Sequence, residues 1–213
     1  QMVNALGLVY SQAAGNHQVS RAGALTKRMQ PGFAAMSGVL SAQMARRGIR
    51  GVQSTFEGAD GLLRVYLHDH CDRERLRDGL GQRFELLGLS YKPYPCCRFS
   101  HTAIDAAREL RARVGPVAKR VRRIRVGINR LAYEVVCTPV DVRKAPATIV
   151  EAQFSIPYAV ATALVDGTVE LGHFSEAALG RRDIMALAGR VEAYVDQDLE
   201  REWGRKTSPA LLT

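Results

Sequence analysis

Ser90-Tyr91-Lys92-Pro93-Tyr94-Pro95-Cys96-Cys97-Arg98-Phe99 divides this chain. A regular helix cannot run through it, because each proline lacks an N–H and clashes with the preceding turn. Before it, hydrophobic residues recur at helical spacing. After it, the period changes between helix-like and strand-like runs. The expected fold class is therefore α+β: a helical segment to about residue 89, then an α+β segment over residues 90–196.

Downstream of the divide, Ser100 is a good N-cap for a helix through Val114. Ala103, Ala107, Leu110 and Val114 share one face, and Gly115-Pro116 stops the run. Ile124, Val126 and Ile128 then alternate with Arg123, Arg125 and Gly127, which predicts a half-buried strand. Leu131, Tyr133, Val135 and Cys137 repeat that alternation and predict a second strand. Residues 138–148 are expected to be a proline-containing loop. Ser155 caps a helix that carries Tyr158, Ala161, Thr162 and Val165 on one face and ends at Gly167. A helix over 181–188 and a strand over 191–195 follow.

Upstream, the small apolar run 3–14 leads to a stop at Gly15-Asn16. Residues 23–32 read as a loop, with Pro31 suited to a first helical turn. A helix is predicted over 33–47, closed by Arg46-Arg47 before Gly48. Its small residues, among them Ala34, Gly38 and Ala42, would let another helix approach closely. Asp72 to Leu87 is also predicted as a helix, with Leu76, Leu80, Phe84 and Leu87 on one face and Gly88 at the end.

With 213 residues and 46% hydrophobic content, the chain can bury real cores. No apolar run approaches the roughly 18 residues of a membrane span, and Gln1 onward lacks a basic leader, so a cytoplasmic protein is expected. The missing initiator Met leads us to expect an upstream segment. Cys71, Cys96, Cys97 and Cys137 lack zinc spacing and are expected to be reduced thiols. Thirty Lys and Arg against 21 Asp and Glu leave a net charge of +9. That charge suits a nucleic acid, an acidic membrane surface or a small polyanion. The arginines between 120 and 130 have no interleaved aromatics, so they are taken as solvated surface and no nucleic-acid or membrane partner is expected. There is no internal repeat, no nucleotide-binding glycine motif, no H-E-x-x-H and no G-x-S-x-G.

Three segments carry a resemblance: Gly23-Ala24-Leu25-Thr26-Lys27-Arg28-Met29-Gln30-Pro31-Gly32, Tyr91 to His101, and Phe154-Ser155-Ile156-Pro157-Tyr158-Ala159-Val160-Ala161. In order and spacing they resemble the MmgE/PrpD family, which includes 2-methylcitrate dehydratase, cis-aconitate decarboxylase and iminodisuccinate epimerase. Members are considerably longer than this chain. The resemblance implies that 1–89 is the later part of an all-helical domain, that 90–196 is an α+β lid domain, and that 197–213 begins the return to the helical domain. It places the active site in the cleft between them, so the Lys27 ammonium and the His101 ring are expected to approach a common pocket.

The resemblance also implies residue roles. Lys27 matches the family's active-site lysine. An ammonium near a helix start adds to the helix's positive end and makes a seat for a carboxylate. His101 matches a lid histidine whose imidazole would exchange a proton near pH 7 while the helix end favours its neutral form. Tyr158 matches a lid tyrosine whose phenol would bind a carboxylate or protonate a leaving hydroxyl. Lys27, His101 and Tyr158 are thus the catalytic candidates, and Arg98, Arg28 and Gln30 the substrate-binding ones. His17 is a further candidate. Many relatives have His where Gln30 stands, which weighs against acid–base work at that position.

Each candidate has a plain structural alternative: a surface lysine beside Arg28, a first-turn histidine, a core tyrosine, an arginine in an internal ion pair. His68, Asp69, His70 and Cys71 invite a zinc site, yet no further ligand pair stands at a familiar spacing, so no metal is expected. No organic cofactor is expected either. The implied activity is that of a lyase or isomerase removing a proton beside a carboxylate of a small di- or tricarboxylate, with 2-methylcitrate dehydration the leading reaction. The expected partners are that substrate and a second copy in a homodimer. Relatives draw an aspartate and histidines from upstream of the equivalent of residue 1, so this chain taken alone is expected to be inactive. A non-catalytic fragment or oligomerisation module is the alternative, and a basic nucleic-acid-binding domain using Arg120 to Arg130 ranks behind it.

Overall fold

The computed structural model describes residues 1–116 and 120–213. The chain forms two compact units, Gln1–Ser90 and Tyr91–Thr213.

The first unit contains α1 (Met2–Tyr10), α2 (Gln18–Arg21), α3 (Thr26–Arg46) and α4 (Leu62–Leu67). Helix α1 packs on α3, and Gly7 lies against the backbone of Gly51 and Val52, where no Cβ would fit. The segment 23–32 is not a free loop: α3 begins at Thr26 and includes Pro31. Proline removes only the N–H that would have reached the Lys27 carbonyl, and the rest of a long helix absorbs that loss.

The helix predicted over 72–87 does not form; turns and a short 3-10 segment, Glu85–Gly88, occupy it. Gly79 and Gly81 adopt positive φ of 67° and 79°, which breaks the helical path. The would-be apolar face stays in solvent, with Leu80 81% and Leu87 88% exposed. Few large side chains of this unit are buried, Leu63 being one, while Leu25, Met36 and Val39 are exposed.

The second unit holds the hydrophobic core. It contains α5 (His101–Val114), β1 (Ile124–Ile128), α6 (Arg130–Val136), α7 (Val140–Lys144), α8 (Ile149–Gln153) and α9 (Ile156–Asp166). These are followed by α10 (Glu176–Leu179), α11 (Arg182–Ala188), β2 (Val191–Val195), α12 (Gln197–Trp203) and β3 (Leu211–Leu212). The three strands lie in the order β2-β1-β3. β1 pairs in parallel with β2 (Ile124 opposite Val191) and antiparallel with β3 (Val126 opposite Leu212).

Helix α9 packs against α5 and α11, and its residues from Ile156 to Leu164 are buried all round, as expected of a central helix. Ser155 caps it by accepting from the Tyr158 N–H at 2.9 Å, and Gly167 ends it in the left-handed conformation.

Three expectations change here. Residues 131–136 lie in helix α6 rather than in a strand, with Cys137 as its C-cap. Helix α6 buries Ala132 and Val136, one helical turn apart, and Cys137 is buried just beyond its end, a spacing that a two-residue period does not describe. Asn129 starts that helix, accepting from the Ala132 N–H at 3.2 Å while its amide donates to the carbonyls of Gly204 (2.5 Å) and Lys206 (2.8 Å). The loop 138–148 contains α7. Residues 197–213, expected to return to the helical domain, belong to this unit: α12 is capped by Asp196, and β3 completes the sheet because the open edge of β1 needs backbone partners.

Candidate functional site

In the first unit, Lys27, Arg28 and Gln30 share the start of α3. No acidic residue stands in its first turn, so two cations sit where a helix favours anions. Lys27 is half-buried and Arg28 exposed. Gln30 is engaged with the backbone: its Nε2 donates to the Asn16 carbonyl at 3.0 Å, and its Oε1 accepts from the Asn16 N–H at 3.1 Å. That two-point clasp ties the α1–α2 connection to α3. His17 is the N-cap residue of α2 but makes no side-chain capping bond. An open cavity of about 890 Å³ lies within this unit, lined by Gln30 and by apolar groups including Tyr10, Phe33, Phe56 and Tyr66.

In the second unit, the dividing segment delivers His101. Pro93 and Pro95 keep residues 93–97 out of a helix, and a 3-10 turn, Arg98–Ser100, then leads into α5. The His101 ring is 6% exposed and meets the Tyr94 ring edge to face, with centroids 5.3 Å apart at 86°. One ring nitrogen bonds the Cys96 carbonyl, while Nε2 is buried without a partner. Lys92 Nζ donates to the same carbonyl at 3.3 Å.

Burial holds the His101 pKa below its usual value, and the cations of Lys92 and Arg98 push the same way against the Cys96 carbonyl and Asp105. The result is a neutral imidazole with one unoccupied basic nitrogen. Tyr94 is itself fixed, its hydroxyl donating to Asp105 Oδ1 at 2.5 Å and accepting from Arg108 Nη1 at 2.8 Å. Arg98 is exposed, and its charge is felt at His101. Burial pushes the neighbouring Cys96 thiol up to about 12, so it stays protonated and inert near neutral pH.

Tyr158 lies elsewhere in this unit. It is 0% exposed, packs against Phe174 and donates its hydroxyl proton to the His173 carbonyl at 2.7 Å. That contact gives the phenol a structural partner within its own unit. Its hydroxyl end lies near Asp166 and Arg181 rather than in the His101 cluster.

Asp166 accepts from Arg181 at two points and faces His173 Nε2 at 3.0 Å. The Arg181 guanidinium, helped by His173, holds the Asp166 carboxyl below the usual range. His173 Nδ1 accepts from the Glu170 N–H at 2.8 Å, so the imidazole is fixed as the Nε2–H tautomer. No motif or spacing marks this cluster, whose members stand 7 and 15 residues from Asp166.

Arg143 was also missed, because it lay in an expected loop. It is 2% exposed, its Nε donates to the Thr138 carbonyl at 2.9 Å, and its Nη1 has no partner. Among the described residues no group of three or more His, Cys, Asp or Glu could hold a metal ion, and His68 and Asp69 both take positive φ in a turn after α4. No helix among them is long and apolar enough to cross a membrane.

Comparison with known proteins places these features in a lineage. The model of the MmgE/PrpD C-terminal domain matches residues 94–211, and that of the MmgE/PrpD N-terminal domain matches residues 1–74. Among curated proteins, a cis-aconitate decarboxylase of Aspergillus terreus is 26% identical over 214 aligned residues, covering 94% of this chain and 43% of the relative. A cis-aconitate decarboxylase-like protein, oryM, of Aspergillus oryzae is 23% identical over 209 residues, covering 93% of this chain and 43% of the relative. The chain therefore spans less than half the length of the curated relatives it matches.

Proposed function

From the premise that this chain belongs to the MmgE/PrpD family, we propose that it is part of a lyase or isomerase acting on a small di- or tricarboxylate. The reaction begins by removing a proton from carbon beside a carboxylate. The observation that carries this reading is His101, a buried imidazole with an unpaired Nε2, desolvated and flanked by cations. Such a nitrogen is poised to take a proton, and the charges of Lys92 and Arg98 favour an anion near it.

Lys27 and Arg28, at a helix start without acids, are the proposed seat for another carboxylate. The carbanion formed would expel hydroxide; in a second route the C–CO2 bond breaks in place of the C–H bond, carbon dioxide leaves and the carbanion left behind takes a proton from an acid; in a third the first carbanion is reprotonated on its other face. The similarity to cis-aconitate decarboxylases is compatible with the second route, and 2-methylcitrate dehydration follows the first. No metal or organic cofactor enters this scheme. The proposed setting is cytoplasmic and homodimeric, and turnover is proposed to need the further length that the relatives possess.

The test is to offer cis-aconitate, citrate and 2-methylcitrate in deuterated water to the full-length gene product and to its Lys27→Ala and His101→Gln variants. NMR would follow dehydration, decarboxylation and deuterium incorporation. Turnover or exchange that falls at least ~100-fold in both variants, with melting temperature nearly unchanged for Lys27→Ala, is the expected result. Full activity in both variants would reject the assignment.

A second reading, a non-catalytic or oligomerisation module, is favoured by the exposed apolar side chains of the first unit, such as Met36, Val39, Phe84 and Leu87. Light scattering that shows a stable oligomer, together with no turnover of any polycarboxylate by the full-length product, would select it.

A further inference from the structure

His101, Asp105 and Arg108 are the first, fifth and eighth residues of α5, so they stand on one face of it. Tyr94, outside the helix, lies along that face. Its ring meets the His101 ring edge to face, with centroids 5.3 Å apart at 86°. One turn further on, its hydroxyl donates to Asp105 Oδ1 at 2.5 Å and accepts from Arg108 Nη1 at 2.8 Å. The Arg108 guanidinium carbon also stands 5.9 Å from the Tyr94 ring centroid.

Both ends of this arrangement are anchored. Tyr94 is 5% exposed, and its segment is clasped by Gln153, whose Nε2 donates to the Pro95 carbonyl at 3.0 Å and whose carbonyl accepts from the Cys97 N–H at 2.8 Å. Arg108 Nε donates to the Gly167 carbonyl at 3.2 Å, which ties the hydroxyl's partner to the end of α9. A buried phenol whose hydroxyl both donates and accepts is held in one orientation. The imidazole packed on it is then limited in χ2, and its bond to the Cys96 carbonyl leaves Nε2 as the free nitrogen.

Resting on the function proposed above, in which His101 takes the substrate proton, we infer that Tyr94 is a positioning residue for that transfer. Its ring holds the plane of the imidazole and shields it from water, and its hydroxyl, held between Asp105 and Arg108, holds the ring. Tyr94 transfers no proton itself, because its hydroxyl is already engaged at Asp105. The hydroxyl has a second effect: it occupies the Asp105 carboxylate, which stands one turn from His101 and would otherwise be free to pair with the imidazolium. The charged groups acting on His101 are Lys92 and Arg98 from the preceding segment and Asp105 from its own helix. Burial, with the two cations, favours the neutral ring against the Cys96 carbonyl and Asp105. Losing the Tyr94 ring or its hydroxyl therefore moves the balance toward the protonated, idle form.

The experiment compares Tyr94→Leu, Tyr94→Phe and His101→Gln with the wild type. In the 213-residue chain, NMR follows protonation of the His101 ring, with His17, His68, His70 and His173 as internal controls. In the full-length gene product, kcat and KM are followed against pH on whichever of cis-aconitate, citrate and 2-methylcitrate the wild type consumes. Tyr94→Leu should lower kcat at least ~10-fold with KM within ~3-fold, since orientation and protonation state are lost while carboxylate binding is not. The acid limb of its kcat profile and the His101 NMR midpoint should both move to higher pH. Tyr94→Phe, which keeps the ring and loses the hydroxyl, should move both the same way by less.

A Tyr94→Leu protein that melts lower but keeps the wild-type pH profile and His101 midpoint overturns the inference, because Tyr94 then only packs. If Tyr94→Leu fails to fold, an unchanged profile and midpoint in Tyr94→Phe overturn it instead. A moved His101 midpoint with unchanged kcat also overturns it. Impaired turnover in His101→Gln together with wild-type behaviour in both Tyr94 variants rejects the positioning role and leaves the proposed function standing. A wild type that consumes none of the three acids, or His101→Gln at the wild-type rate, rejects that function and the inference with it.

Discussion

Asp166 and Arg181 form a two-point ion pair, with Arg181 Nη1 at 2.5 Å from Oδ2 and Nη2 at 3.0 Å from Oδ1. The pair joins the end of α9 to the residue preceding α11, and His173 Nε2 closes on the same carboxylate at 3.0 Å. Because the carboxylate is partly buried and both its oxygens are engaged, it acts as a local clamp more than as a surface pair.

Replacing Asp166 by Asn should therefore destabilise the second unit by ~1–3 kcal/mol, measured by denaturant unfolding. The native carboxyl is held below its usual pKa, so its contribution is present above the unfolded value of ~3.9 and is lost as pH falls through the lower folded value. The wild type should lose stability faster than Asp166→Asn in that acid range. Parallel acid profiles for the two proteins would show that the clamp contributes nothing.

His101 gives the opposite kind of pH effect from a histidine in an ion pair. Its folded pKa is lowered, so the unfolded chain binds the proton more readily and stability falls as pH drops through about 6.5. Thermal midpoints between pH 7.5 and 5 should decline more steeply for the wild type than for His101→Gln. The imidazole resonances should report protonation below the usual range. A His101 that titrates at or above about 6.5 would contradict the desolvated, neutral ring.

Asn129 is fully buried and serves three backbone groups, capping α6 and fastening the carbonyls of Gly204 and Lys206. Asn129→Ala should cost ~2–4 kcal/mol, because it removes a cap and leaves two carbonyls without donors. Asn129→Asp keeps the cap but turns an anion toward two carbonyl oxygens, so it should be no better than Ala. Chemical denaturation separates these outcomes from a neutral surface substitution, which would change stability by less than ~0.5 kcal/mol.

Exhaustive chelation should leave turnover by the full-length gene product unchanged. The measurement is the rate of polycarboxylate consumption before and after removal of divalent ions. Activity lost on chelation and restored by zinc would reinstate a metal role for residues such as His68 and His70.

Local chemistry made much of this protein legible from sequence. Ser155 and Gly167 marked the ends of α9, the alternation of Ile124, Val126 and Ile128 marked β1, and the prolines of 93–97 marked the entry to α5. In each case a side chain or a missing N–H acts on backbone within a few residues. The glycines at 79 and 81 were in view too. Their left-handed backbone outweighs the leucine spacing because no core stands ready to bury that face.

Tertiary structure decided the rest. The alternation over 131–137 fits a strand until Asn129 caps a helix and Ala132 and Val136, one turn apart, find the core. Arg143, Asp166 and Arg181 carry no mark in the sequence of what they face. A guanidinium becomes a buried, unanswered charge or half of a clamp only through burial and the partners that distant segments bring. His101 shows both levels at once. The sequence placed it at a helix start, and the fold buried it, turned one nitrogen to the Cys96 carbonyl and left the other unpaired, because desolvation depends on neighbours that sequence spacing does not specify.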